Sequence, residues 1–154
     1  MIESIFYSVG IYCRLSLDDG SVGESGSIQT QKMMLEKYCK DNNYTIKEIY
    51  IDDGVSGLTF ERSGFQRMLK DIEAGKINMV ITKDLSRLGR DYLQTGYYTE
   101  QYFPLHNVRY IAVNDGVDTL IDNNDIAPFK NILHYEVENI ILYNNLFVNN
   151  LYLI

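Results

Sequence analysis

Short apolar runs alternate with amphipathic stretches of about a dozen residues, and this alternation limits the fold more than any other feature of the chain. Residues 5–15, IFYSVGIYCRL, are apolar and rich in β-formers, as expected of a strand buried on both faces of a parallel sheet. Further strands are predicted at residues 45–52, 77–82 and 108–113. Between the first two, residues 27–42 put Ile28, Leu35, Tyr38 and Cys39 on one helical face and turn Lys32, Lys37 and Lys40 to solvent. Phe65, Met68, Leu69 and Ile72 recur at helical spacing behind a capping box, Ser63-x-x-Gln66, and Gly75 stands at the expected C-cap. Residues 92–103 make a third helix, with Asp91 as N-cap and Pro104 as its stop. Strands joined by helices in this order form right-handed βαβ units, so the expected class is α/β, a mainly parallel sheet flanked by helices.

At 154 residues and 45% apolar content the chain holds one globular core, and no segment is repetitive or of low complexity. Cys13 lies in a strand pattern and Cys39 in a helix pattern, which indicates buried free thiols and not a disulfide or zinc framework. No stretch reaches the ~20 apolar residues of a membrane span and no basic leader precedes one, so a cytoplasmic protein with no membrane partner is expected. A net charge of -7 argues against a surface that binds nucleic acid over its whole extent. Any phosphate site must be local, and Arg14, Arg62, Arg87 and Arg90 all lie in segments bearing Gly, Ser or Asp.

Ligands of parallel sheets gather at the carboxyl ends of the strands. Ser16, Asp52, Lys83 and Arg87 each follow a predicted strand end, which brings them to one edge, and residues 18–26, DDGSVGESG, make a loop directly after Ser16. Arg14 and Ser16 are two apart on a strand and therefore point to the same side, so a cation neighbours a hydroxyl. Arg87 and Arg90, spaced i, i+3, would share one face of a helical turn, with Gly89 leaving room for a close approach. Arg62 adds a fourth guanidinium. Serine attack on a phosphodiester builds charge on the non-bridging oxygens, and each preorganised donor lowers that barrier by ~3 kcal/mol. Singly, an Arg-x-Ser or an arginine pair is an ordinary surface feature; their conjunction at strand ends favours a site. His106 follows Pro104 in a turn and His134 lies near the end of the chain, so no Ser-His-Asp triad is expected. The Asp18–Asp19 and Asp52–Asp53 pairs lack a metal-ligand spacing, leaving a covalent mechanism with neither metal nor cofactor.

Five segments carry a resemblance: YCRLS at 12–16, SIQTQ at 27–31, DDGVSG at 52–57, ERSGF at 61–65 and KDLSRLGRD at 83–91. In this order they resemble the resolvase/invertase family of serine recombinases, in particular the large serine recombinases of conjugative transposons and phage-like mobile elements, over roughly residues 5–130. The resemblance implies a resolvase-like catalytic domain in which Ser16 forms a phosphoserine link to a DNA 5′ end. It implies that Arg14, Arg62, Arg87 and Arg90 bind the scissile phosphate, with Gln31, Asp52, Ser86 and Lys83 supporting the site or the DNA phosphates. The implied partners are double-stranded DNA and further copies of the chain, a dimer assembling into a synaptic tetramer.

Two features depart from the family pattern. Ser86 stands where many resolvases carry an acid, with Asp84 two positions earlier, so the general acid is left open. Residues 124–133, NDIAPFKNIL, fit the start of the family's long helix, whereas residues 134–154 do not, and no Lys or Arg follows Lys130. The expected organisation is a catalytic domain at 1–133 and an atypical tail at 134–154, a truncated or altered remnant of the dimerisation helix. Two other readings compete: a catalytically incompetent remnant acting as a protein-interaction module, and a phospho-receiver domain, suggested by acids after strands with Lys83 at a strand end.

Overall fold

The apolar run near the start of the chain becomes the strand next to the middle of the sheet, flanked on both sides. The computed structural model describes residues 5–16 and 28–121. The loop expected at 18–26, the helix start at 124–133, the tail at 134–154 and the boundary between domains lie outside the described residues. Strand β1 (Ser8–Leu15) buries its six inner residues. It pairs in parallel with β2 (Thr45–Asp53) and with β3 (Met79–Thr82). Strand β4 (Arg109–Ala112) continues in parallel beside β3, and the two-residue β5 (Val117–Asp118) closes the edge antiparallel to β4. The order is β2-β1-β3-β4-β5, an α/β fold with a mainly parallel sheet. All four predicted strands form; β5 is too short to leave a periodic signal.

Side chains alternate along each strand, so the sheet carries a separate core on each face. Val9, Ile11 and Cys13 of β1 pack with Met79 and Ile81 of β3 and with Leu35 and Cys39 of helix α1 (Ile28–Asp41). Tyr12 and Val80 face the other way, against Phe65, Met68 and Ile72 of helix α2 (Ser63–Glu73) and against Phe103 and Tyr110. Both cysteines are free and buried, and burial pushes the Cys13 thiol up to about 12 and that of Cys39 to about 11. Neither is a thiolate at neutral pH, so neither competes as a nucleophile.

Helix α2 ends as its sequence predicts. Gly75 adopts φ +70°, its N–H reaches the Ile72 carbonyl at 2.9 Å, and the Lys76 N–H reaches Asp71 at 2.9 Å, which together make a Schellman motif. Its start differs from the prediction. The expected capping box does not form, because Arg62 is the N-cap residue and the Asp52 carboxylate accepts from the Gly64 and Phe65 amides at 2.8 and 2.9 Å. A charged acceptor arriving from β2 displaces the neutral hydroxyl of Ser63, and the Gln66 side chain donates instead to the Phe60 carbonyl.

After β3 come two short helices, α3 (Leu85–Leu88) and α4 (Tyr92–Tyr97). Asp91 caps α4 as predicted, accepting from the Gln94 N–H at 2.9 Å. The helix does not stop at Pro104, however: a π turn at Tyr98–Tyr102 leads into α5 (Phe103–Leu105). Proline lacks an N–H and crowds the carbonyl four residues back, and the wider turn just before it relieves both conflicts.

Candidate active site

The carboxyl edge of the sheet is built around the end of β1. Strand β3 pairs with Val9–Ile11 only, so the Arg14 backbone, which points to that side, has no strand partner there. Gln31 of α1 supplies one. Its side-chain amide accepts from the Arg14 N–H at 3.3 Å and donates to the Arg14 carbonyl at 3.1 Å, which accounts for a fully buried polar residue on the apolar face of α1. On the β2 side the Val55 N–H bonds the Leu15 carbonyl at 3.1 Å, carrying the ladder one step beyond the strands. Ser16, 3% exposed, leaves β1 at this point, beside a turn at residues 54–57 that Gly54 opens with φ +71°.

The Arg14 guanidinium is fully buried and donates to two carbonyls, Nη1 to Val55 at 3.0 Å and Nη2 to Ser86 at 2.8 Å. Arg62 is buried as completely, with Nη1 on the Tyr12 hydroxyl and Nη2 on the Leu88 carbonyl, both at 2.6 Å. Its guanidinium carbon lies 4.6, 4.9 and 5.5 Å from the ring centres of Phe60, Phe65 and Tyr12. The Tyr12 hydroxyl donates onward to Asp52 at 2.9 Å, so the carboxylate that caps α2 also anchors Arg62 through a phenol. Arg87 donates from Nη1 to the Arg14 carbonyl at 3.2 Å, and its backbone N–H is capped by Asp84 at 3.1 Å. The Arg90 N–H bonds the Gly57 carbonyl at 2.8 Å.

The four arginines therefore converge, as the strand-end argument predicts. Their mutual repulsion is felt at Arg14, whose guanidinium is lowered to about 10 by burial first and then by Arg62, Arg90 and Arg87. Burial also lowers Arg62, against the opposing pull of Tyr12 and Asp52, and burial raises the Tyr12 phenol far above its usual range. The Nε atoms of Arg14 and Arg62 are buried and have no hydrogen-bond partner among the described residues.

Two details of the sequence reading need correction. Arg87 and Arg90 do not share a helical face, because α3 ends at Leu88 and Gly89 is extended, so Arg90 is reached across a break in the helix. The space left by Gly89 is filled by Phe60, whose ring carbon would lie 2.2 Å from an added Cβ. Ser86 touches Arg14 through its carbonyl, while its hydroxyl turns to Asp84 at 2.5 Å. Lys83 follows β3 on the same edge, half-buried, with its carbonyl accepting from the Asn114 N–H at 2.8 Å. Asp84 caps α3 and is engaged by its own helix. Sequence reasoning passed over Tyr12 as a member of the site. Its position two residues before Arg14 was the available signal, since period two puts Tyr12, Arg14 and Ser16 on one side of the strand.

Residues 9–134 match the family model described as Resolvase, N terminal domain. The chain belongs to the resolvase family of serine recombinases. Among solved structures, this resolvase-family chain is similar to the N-terminal catalytic domain of TP901-1 integrase. That match has 29% identity and a TM-score of 0.74, and it covers 85% of this chain and 97% of the other. A resolvase family site-specific recombinase from Streptococcus pneumoniae matches at 29% identity and TM-score 0.70, over 94% of this chain and 97% of the other. The C-terminal catalytic domain of ISC1926 TnpA, an IS607-like serine recombinase, matches at 25% identity and TM-score 0.59, over 69% of this chain and 70% of the other. No curated protein matches the chain. The resolvase catalytic fold supports a role in site-specific recombination, and no helix among the described residues is long and apolar enough to cross a membrane.

Proposed function

We propose that this resolvase-family domain cuts and rejoins double-stranded DNA at a specific site, with Ser16 as the nucleophile. The Ser16 oxygen attacks the phosphorus of a phosphodiester and loses its proton. The bond from phosphorus to the 3′ oxygen breaks, that oxygen takes up a proton, and the 5′ end stays joined to Ser16 as a phosphoserine ester. In rejoining, a 3′ hydroxyl attacks the phosphoserine and Ser16 regains its proton. One ester replaces another at each step, so no nucleotide hydrolysis is needed. Exchange between two duplexes requires several active sites at once, hence a dimer that assembles into a tetramer, acting in the cytoplasm, where bacterial DNA lies.

The observation that carries this reading is the gathering of Arg14, Arg62, Arg87 and Arg90 at the point where Ser16 leaves β1. The cluster of Arg14, Arg62, Arg87 and Arg90 supplies the positive charge that holds the scissile phosphate and the charge it gains. Gln31 fixes the backbone next to the nucleophile, Asp52 holds Arg62 through Tyr12, the Ser86 carbonyl seats Arg14, and Lys83 attracts flanking DNA phosphates. The receiver reading is disfavoured because the Asp52 carboxylate is already occupied by two amides and a phenol.

Incubation of the chain with a pool of double-stranded oligonucleotides of random central sequence should yield covalent adducts that survive denaturation and release phosphoserine on hydrolysis. Ser16→Ala should abolish them while its circular dichroism stays that of the wild type. Adducts persisting in Ser16→Ala would exclude Ser16. No adduct from any pool would favour the non-catalytic interaction module.

A further inference from the structure

Gly57 occupies an unusual place in the cation cluster. A Cβ built on it would lie 2.8 Å from Arg14 Nη2, 2.9 Å from Arg14 Cζ and 2.9 Å from Arg90 Cγ. These are closer than real Cβ atoms come, so a side chain here forces something to move. Arg14 cannot swing aside freely: it is fully buried, both Nη atoms are held by carbonyls of separate segments, and three like charges surround it. Nor can the turn retreat freely, since the Gly57 carbonyl holds the Arg90 N–H and the Val55 N–H is tied to Leu15.

We propose that Gly57 is a positioning residue: its bare Cα is the seat on which the Arg14 guanidinium lies, and its carbonyl fixes Arg90 in register with that seat. The turn at 54–57 thereby acts as a template, setting the spacing of two arginines that arrive from distant parts of the chain. No φ strain is involved, because the glycine is required by what approaches it and not by its own backbone angle. The link to catalysis rests on the reading that these arginines serve Ser16; the seat itself does not.

Two measurements on Gly57→Ala separate these claims. Guanidinium proton exchange, followed by nitrogen-15 NMR of the full chain, should show Arg14 Nη protons in the wild type exchanging at least tenfold more slowly than those of half-exposed Arg67. In Gly57→Ala the Arg14 protection should collapse toward the Arg67 rate while Arg109 stays protected; unchanged Arg14 protection would overturn the seat whether or not Ser16 is a nucleophile. Adduct formation should slow about 10- to 100-fold, as expected for misplacement on the ångström scale. The same substitution should slow it by a clearly smaller factor in an Arg14→Met background, whose side chain ends one atom short of the Cζ position that the added Cβ would meet. Equal slowing in both backgrounds would also overturn the proposal. If Gly57→Ala does not fold, Arg14→Met should restore folding to the double variant, and failure to do so would count against the seat.

Discussion

Arg109, partly buried, and Arg14, fully buried, stand at opposite edges of the same sheet and are treated in opposite ways. Arg109, at the start of β4, makes a two-pronged ion pair with Asp118 at 2.9 and 2.6 Å and lies over the rings of Tyr7 and Tyr44, 5.1 and 5.9 Å from their centres. The hydrogen bonds to Asp118 push its guanidinium above the usual range. Arg14, near the end of β1, meets no carboxylate among the described residues; its donors go to carbonyls, and burial with three neighbouring cations lowers it to about 10. The amino edge neutralises its charge and gains stability from it. At the carboxyl edge Arg14 is held out of water by carbonyls alone among the described residues, a cost that selection for stability alone would remove. Under the proposed function, the DNA phosphate binds at this less compensated edge.

The hardest test of the contrast is Asp52, the buried carboxylate at the arginine edge. Asp52→Ala strips two amides of α2 and the Tyr12 phenol of their acceptor and leaves Arg62 without its nearest negative charge. We expect a loss of about 3 kcal/mol in urea unfolding. A loss below about 1 kcal/mol would mean that the carboxyl edge does not depend on this carboxylate. Next in size, Arg109→Met should cost about 2 kcal/mol by breaking a well-formed, largely shielded pair. Arg14→Met should change stability by less than about 1 kcal/mol in either direction, since relief of repulsion offsets two lost hydrogen bonds. Equal losses in the two methionine variants would erase the distinction between the edges.

What the sequence made legible follows the same division between local and distant causes. The strands, the amphipathic faces of α1 and α2, the glycine C-cap at Gly75 and the Asp91 cap are written in periodicity and neighbouring residues, and each forms. The convergence of Ser16, Asp52, Lys83 and Arg87 also followed, because a parallel sheet sends every strand's carboxyl end to one edge. The α2 cap was misread because its acceptor, Asp52, lies outside the local window in which Ser63-x-x-Gln66 stands out. Gly89 was assigned to a ligand because its true neighbour, Phe60, is distant in the chain. Gly57 stands out in the sequence only as the last residue of DDGVSG, and its place between Arg14 and Arg90 is visible only after three segments have come together.

Acid and alkali should act on the two edges with opposite sign. Asp118 is held below the ordinary carboxylate value by Arg109 and the Leu120 amide, against the raising effect of burial. The pair's contribution is therefore present above about pH 4 and is lost as pH falls through the depressed value. Arg14 is a base lowered on folding, so its penalty is complete below about pH 10 and shrinks above it, where the unfolded chain still holds the proton. Buried thiols, raised by burial, weaken the fold above about pH 9, so the Arg14 effect must be read as a difference between wild type and Arg14→Met. That difference should shift in favour of the wild type above pH 10, by at most about 1.4 kcal/mol per pH unit. The difference between wild type and Asp118→Asn should shrink by about 1 kcal/mol between pH 4 and pH 2, the smallest of these effects. If the Arg14→Met difference instead stays flat to pH 11, then Arg14 keeps its ordinary affinity for a proton and the carboxyl edge stores no repulsion for an anion to relieve.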